Sequence, residues 1–213
     1  MNEVETHFHT TYKNFDSYYD EKKNVVSKLI DRTLRRSMAM RFDKVIASIA
    51  PYEGKTVLDV GCGTGRYCFA LLDKGIRYAE GIDFAENMIR EANALARQHH
   101  LENNCRFMRA DFLQMTIDEP FDHVFAMGVL DYIDQPIPFV RKMAQSAKQS
   151  VMVSFPSKGG MIQTMRKFIF RNIKKCPVYF YTEDDVRHIA EHSGARNFVI
   201  HKLSKDYFLD LLF

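Results

Sequence analysis

Tryptophan is absent from the chain, and cysteine and proline are scarce, at four and six among 213 residues. The cysteines, Cys62, Cys68, Cys105 and Cys176, are too few and too scattered for a disulfide framework in a chain of this size. No CxxC pair exists, so zinc ligation has no anchor and no metal site is expected. Reduced thiols in a cytoplasmic protein are the reading that remains. No segment approaches the roughly 20 apolar residues needed to span a bilayer. The polar opening MNEVETHFHTTYKNFDSYYDEKK lacks the apolar run of a secretory signal. Neither sign of charge dominates: 30 Lys and Arg face 27 Asp and Glu, a formal net charge of +3, too mild to mark a nucleic-acid binder by itself. Internal repeats and low-complexity segments are also missing.

What is present is the profile of an ordinary globular protein, 46% hydrophobic and 27% charged, with 17 Phe and 10 Tyr supplying aromatic bulk. The length suits one domain with an extension. Val26, Leu29, Ile30, Leu34, Met38, Phe42, Val45 and Ile49 recur at helical spacing over residues 25–50, and Pro51 and Gly54 punctuate the end of that run. Short apolar runs then alternate with helical patterns. Strands are predicted at 57–60, 77–84, 105–112, 121–128 and 150–156. Helices are predicted after Gly65, at 85–100 and 136–147, and at 182–194, where Thr182 is the expected N-cap and Gly194 the stop. ARNFVIHKL and KDYFLDLLF read as two closing strands of an antiparallel hairpin. This alternation predicts an α/β fold: a Rossmann-like, seven-stranded, mostly parallel sheet with helices on both faces and an antiparallel strand near the C-terminus. The expected organisation is an N-terminal helical extension or lid over 1–50 and a main domain over 51–213, with a cap insert at about 157–181.

Chemistry concentrates at the predicted strand ends. In an open α/β sheet, ligands sit at the carboxyl ends of the strands where strand order reverses. Asp59-Val60-Gly61-Cys62-Gly63-Thr64-Gly65 is a turn at which a ligand can approach backbone without a Cβ in the way. Its spacing is GxGxG, not the GxGxxG of a dinucleotide site. Asp83 closes the second predicted strand, 18 residues after Gly65, where a carboxylate can accept both hydroxyls of a ribose. Asp111 closes the third, where it can accept from an adenine amino group, with Phe84 and Phe112 on the ring faces. Such a set describes a site for an adenosyl group without phosphates.

These motifs carry a resemblance. VLDVGCGTG (57–65) resembles motif I of the class I S-adenosylmethionine-dependent methyltransferases. GIDFAENMI (81–89) and RADF (109–112) resemble the second and third motifs, and FDHVFAMGVLDYI (121–133) the fourth-strand motif. The chain is similar to the ubiquinone-biosynthesis O-methyltransferases, in which an arginine before motif I and a methionine after the fourth strand bind the cofactor; Arg41 and Met127 match them. Residues 176–194 are similar to the C-terminal part of the magnesium-protoporphyrin methyltransferases. The resemblance implies S-adenosyl-L-methionine as cofactor, held by Arg41, Asp59, Gly61, Cys62, Gly63, Gly65, Asp83, Phe84, Met88, Asp111, Phe112 and Met127. It also implies methyl transfer, expected here to an oxygen of a small-molecule acceptor. Asp131 stands where many members carry histidine, so His7, His9, Tyr18, Tyr19 and Asp131 are the candidates for an acid–base role, and no catalytic residue is assigned.

The rival readings are an NAD-dependent oxidoreductase, which would prefer GxGxxG and leaves Asp111 idle, and a cofactor-binding module without catalysis. His188 and His192 sit four apart on a predicted helix, but HIAEH is not HExxH and no third ligand is evident. In 161–175, apolar Met161, Ile162, Met165, Phe168, Ile169 and Ile173 face away from Lys167, Arg171, Lys174 and Lys175. Such a helix can pack on the domain, cap a pocket shaped also by Tyr179 and Tyr181, or touch an anionic membrane surface if the acceptor is hydrophobic. One short basic stripe, with no N/D-PPY pattern in the fourth motif, argues against a nucleic-acid substrate.

Overall fold

The computed structural model describes residues 25–159 and 177–213, with the side chains of the first helix described from Arg36 onward. His7, His9, Tyr18, Tyr19 and the basic stripe at 161–175 lie outside the described residues. The elements run α1 (Val25–Ile49), β1 (Thr56–Val60), α2 (Arg66–Asp73), β2 (Tyr78–Asp83), α3 (Glu86–Gln98), β3 (Cys105–Arg109), β4 (Phe121–Ala126), a 3-10 turn (Leu130–Tyr132), α4 (Pro136–Gln145), β5 (Ala147–Pro156), α5 (Glu183–Glu191), β6 (Asn197–Leu203) and β7 (Asp206–Leu212). The seven strands form one sheet in the order β3-β2-β1-β4-β5-β7-β6. Strands β1 to β5 pair in parallel. β7 runs antiparallel to both of its neighbours, β5 and β6. The expected hairpin therefore folds back so that β7, not β6, joins the parallel strands.

Period-two alternation divides the core between the two sheet faces. Leu58, Val60, Val124, Ala126, Val151, Val153, Leu209 and Leu211 pack with Phe139, Val140 and Met143 of α4 and Val186 and Ile189 of α5. Val57, Phe125, Met152 and Phe208 point the other way, onto Val45 and Ile49 of α1, Cys68 and Leu71 of α2 and Ile89 and Ala92 of α3. β1 is buried along its whole length because helices cover both of its faces. Each fully buried Leu or Phe stabilises the fold by about 1.5–3 kcal/mol relative to exposure.

Local signals set the helix ends. Gly75, at φ 96°, follows α2 and stops it. Thr182 caps α5 through a reciprocal box with Asp185: the threonine side chain accepts from the Asp185 N–H, and the Asp185 side chain accepts from the Thr182 N–H. Several predicted boundaries move by one to three residues. β3 ends at Arg109 and β4 at Ala126, short of the expected 112 and 128, α4 stops at Gln145, and β5 begins at Ala147. The 3-10 turn after β4 carried no periodic signal.

Candidate cofactor site

The chain lays down β1, β2 and β3 in one direction and then returns to place β4 on the other side of β1. The loop after β1 thus opens at the point where strand order reverses, at the carboxyl edge of the sheet. Backbone hydrogen bonds fasten this loop to β2. The N–H groups of Gly61 and Cys62 donate to the Ile82 carbonyl at 2.8 and 3.0 Å, and the Gly65 N–H donates to the Cys62 carbonyl at 2.9 Å. The Asp83 carboxylate completes the fastening: Oδ2 accepts from the Gly63 N–H and Oδ1 from the Ala85 N–H, each at 2.9 Å. Each carboxylate oxygen retains a second lone pair for a hydroxyl.

All three loop glycines have positive φ, but they serve different ends. A Cβ at Gly61 would lie 2.4 Å from Val129 Cγ2, and one at Gly65 would meet the Phe107 ring at 2.7 Å. Those two glycines make room for the protein itself. A Cβ at Gly63 would meet nothing within 4 Å. Only there does bare backbone border open space. Gly81 in β2, the first residue of the second motif, is a fourth small position: its Cβ would lie 2.6 Å from Phe107 and 2.8 Å from Cys62 Sγ.

Asp59 lies beneath the loop and is 1% exposed. Burial, and next the charge of Asp83, push its carboxyl well above the usual range. Its neighbour Cys68 Sγ, at 4.0 Å, is a weak donor, and among the described residues none forms an ion pair with Asp59. Burial also raises Asp83, against the pull of the N–H groups of Ala85, Gly63 and Phe84. Two desolvated carboxylates beside open backbone suit a ligand that brings positive charge and hydroxyl donors.

The remaining predicted residues divide. Phe84 is half-buried at the end of β2, and its carbonyl accepts from Arg109 Nε at 3.1 Å. Met127 is half-buried just past β4. Met88 and Cys62 are 7% and 6% exposed. The Cys62 thiol turns into the core, so the residue borders the loop through its backbone, and burial raises the thiol pKa. Asp111 is exposed and sits two residues beyond β3, its Oδ1 accepting from the Leu113 N–H at 2.9 Å. One carboxylate oxygen therefore closes a local Asx turn. Phe112 is 3% exposed, packs edge-on against Phe139 at 5.2 Å and lies under Lys142 Nζ at 5.3 Å, so its ring is engaged in the core.

Arg41 reaches this edge from α1. Its Nη1 donates to Ser154 Oγ at 3.3 Å, and its Nε lies 3.5 Å from Asp206 Oδ2. Neither partner was legible in the sequence. The 3-10 turn after β4 carries Asp131, which is 7% exposed and whose carbonyl accepts from the Tyr179 N–H at 2.8 Å. Burial, and next the hydrogen bond from its hydroxyl to Asp134, raise the Tyr179 phenol. Tyr181, expected in a pocket, is a core residue: it packs edge-on against Phe155 at 5.0 Å and donates to the carbonyls of Leu130 and Ile133 at 3.0 and 3.3 Å. Burial, and next the charge of Asp131, raise the phenol, which stays protonated. Ser157 and Tyr181 form a parallel bridge, so the chain leaves the sheet edge and returns at one point across the segment between them. The exposed His188 and His192 rings meet at 4.2 Å, tilted by 52°, at the end of α5, and among the described residues no group of three or more metal-ligating side chains occurs. No described helix is long and apolar enough to cross a membrane.

The chain is similar to known proteins in sequence and in fold. Residues 51–197 match the family described as methyltransferase domain. The tRNA U34 carboxymethyltransferase of Shewanella halifaxensis is 32% identical over 100 residues, 47% of this chain and 30% of that protein. The same enzyme of Aeromonas hydrophila is 33% identical over 113 residues, 51% of this chain and 33% of that protein. The chain thus spans about a third of the length of the curated relatives it matches. Among solved structures, magnesium protoporphyrin IX methyltransferase from Synechocystis PCC 6803 with bound SAH superposes with a TM-score of 0.77 at 23% identity, covering 98% of this chain and 97% of that one. The residues present fit S-adenosylmethionine: its positive charge would suit the buried Asp59 carboxylate, which has no ion-pair partner among the described residues, and its ribose hydroxyls would suit the free lone pairs of Asp83. The chain belongs to the methyltransferase-domain family, within the class I S-adenosylmethionine-dependent methyltransferases.

Proposed function

We propose that the chain methylates an oxygen of a small-molecule acceptor. The observation that carries the cofactor half is the open backbone at Gly63, whose N–H is held by the Asp83 carboxylate. In this reading Asp83 takes the ribose hydroxyls, Asp111 the adenine edge and Arg41 the carboxylate of the amino-acid end. Phe84, Met88 and Met127 supply apolar walls, and the loop backbone at Gly61, Cys62, Gly63 and Gly65 forms the floor. When bound, S-adenosylmethionine supplies an electrophilic methyl group on a sulfonium. The chain's own work is then to orient the acceptor, exclude water and take one proton from its hydroxyl. Asp131, buried on the turn after β4 and close enough to Tyr181 to raise its phenol, is the described candidate for that proton.

The acceptor half rests on the charge of this edge. Asp83 closes a strand there, and Asp111, Asp131 and Asp134 follow strands, a field that opposes a polyphosphate chain. The solved structure that covers nearly the whole chain acts, by its name, on magnesium protoporphyrin IX, a small molecule. A tRNA acceptor is the second reading. It is favoured by the names of the curated relatives, whose match is confined to about half of this chain. Incubation with methyl-labelled cofactor and either a small-metabolite extract or total tRNA decides: label is expected in the metabolite fraction, and label in tRNA would overturn the reading.

A further inference from the structure

Helix α1 meets the carboxyl edge of the sheet through one polar cluster. Arg41 Nη1 donates to Ser154 Oγ, which also accepts from the Gly128 N–H at 2.8 Å. Asp206 Oδ2 lies 3.5 Å from Arg41 Nε and accepts from the Ser37 hydroxyl. The side chains of Arg41 and Asp206 are only 15% and 10% exposed, and Arg41 Nε is buried with no hydrogen-bond partner. A Cβ at Gly128 would lie 3.2 Å from Arg41 Nη1, so glycine is what lets the guanidinium rest over the end of β4, beside β1 and its loop. Asp206 reaches this edge because β7 is antiparallel: its first residue pairs with Pro156, the last of β5.

We propose that Asp206 is the positioning residue for Arg41, holding its guanidinium over Gly128 so that it takes the carboxylate at the amino-acid end of the cofactor. The inference rests on the cofactor reading above. A long, flexible arginine loses rotamer freedom when it grips an anion, and fixing it beforehand removes that cost from binding. Ser37 and the burial of Asp206 keep the counter-ion in place, so it does not follow an incoming anion. The Nε geometry, close to Asp206 without a hydrogen bond, leaves the guanidinium paired but not saturated.

The test compares two ligands by calorimetry: adenosylhomocysteine, which has the amino-acid end, and 5′-methylthioadenosine, which lacks it. For Asp206→Asn, adenosylhomocysteine is expected to bind about tenfold more weakly, the loss typical of a charge-assisted contact. Methylthioadenosine should stay within about twofold, as for an independent site. Asp206→Glu should recover part of the difference. An equal loss for both ligands, or unchanged or tighter adenosylhomocysteine binding, overturns the proposal. If Asp206→Asn does not fold, Ser154→Ala, which removes the other anchor, is put to the same pair of ligands and must show the same selectivity. A wild-type chain that binds neither ligand sinks the cofactor reading itself, whereas wild-type binding of both with no selective loss sinks only the role of Asp206.

Discussion

Alanine at Gly61 and alanine at Gly63 should damage the protein in opposite ways, although the positions are two residues apart in one loop. At Gly61, φ is 79° and a Cβ would lie 2.4 Å from Val129 Cγ2. The left-handed backbone costs a Cβ-bearing residue about 1–2 kcal/mol. Forcing a methyl group against a stiff, β-branched neighbour adds about 1–3 kcal/mol. The sum is about 2–5 kcal/mol, a fall in Tm of about 4–20 °C for a chain of this size. At Gly63, φ is 54° and a Cβ meets nothing within 4 Å, so only the backbone cost applies. That is about 1–2 kcal/mol, or about 2–8 °C. The ligand response should reverse the ranking. Adenosylhomocysteine at about 100 times its Kd stabilises the wild type by about 2.7 kcal/mol, a rise of about 5–11 °C. Folded Gly61→Ala should keep most of that rise, and Gly63→Ala should lose it, because its methyl group occupies the space the ligand needs. Thermal melts followed by circular dichroism, with and without ligand, measure both quantities. A Gly63→Ala protein with an undiminished ligand shift would refute the assignment of this open backbone to the cofactor, and an unchanged Tm for Gly61→Ala would refute the packing argument.

Asp83→Ala should weaken adenosylhomocysteine binding by about 1–3 kcal/mol, the cost of losing hydrogen bonds to a charged group, and calorimetry showing unchanged affinity would reject the ribose role. Asp59→Asn should raise the Tm of the free protein at neutral pH. The folded-state pKa of Asp59 is raised by burial and then by Asp83, so the fold is penalised wherever that carboxyl is ionised; the advantage of Asn should shrink as pH falls toward the ordinary carboxylate range. The same variant should bind adenosylhomocysteine about tenfold more weakly, since it removes the charge that answers a cation. His123 gives a second pH signature: burial and then Lys55 lower it from 6.5 to about 4. The unfolded chain therefore takes up the proton first, and stability should fall as pH drops from about 6.5 toward 4. Melts of His123→Gln over that range should show a shallower loss, and parallel curves would exclude His123 as the source.

Much of this protein is local information. Period-two runs such as Val57-Leu58-Asp59-Val60 and helical runs such as 85–100 specify their elements because side-chain direction repeats at fixed intervals along a backbone. Alternating strands and helices then leave few packings, so the α/β sheet and a glycine loop at its carboxyl edge follow from the residue order, and Asp83 is placed at the end of β2 by the same logic. Contacts between distant segments are another matter. The loop glycines look alike in sequence; only packing against Val129 and Phe107 separates the two that make room for protein from the one that borders open space. Phe112 follows Asp111 in the sequence, and only the fold brings Phe139 and Lys142 against its ring. Arg41 carries no trace of Asp206, because their meeting depends on β7 inserting antiparallel between β5 and β6. Periodicity is written into neighbouring residues, whereas a side chain's partner is set by the register of strands far apart in the chain, and only the folded chain contains that register.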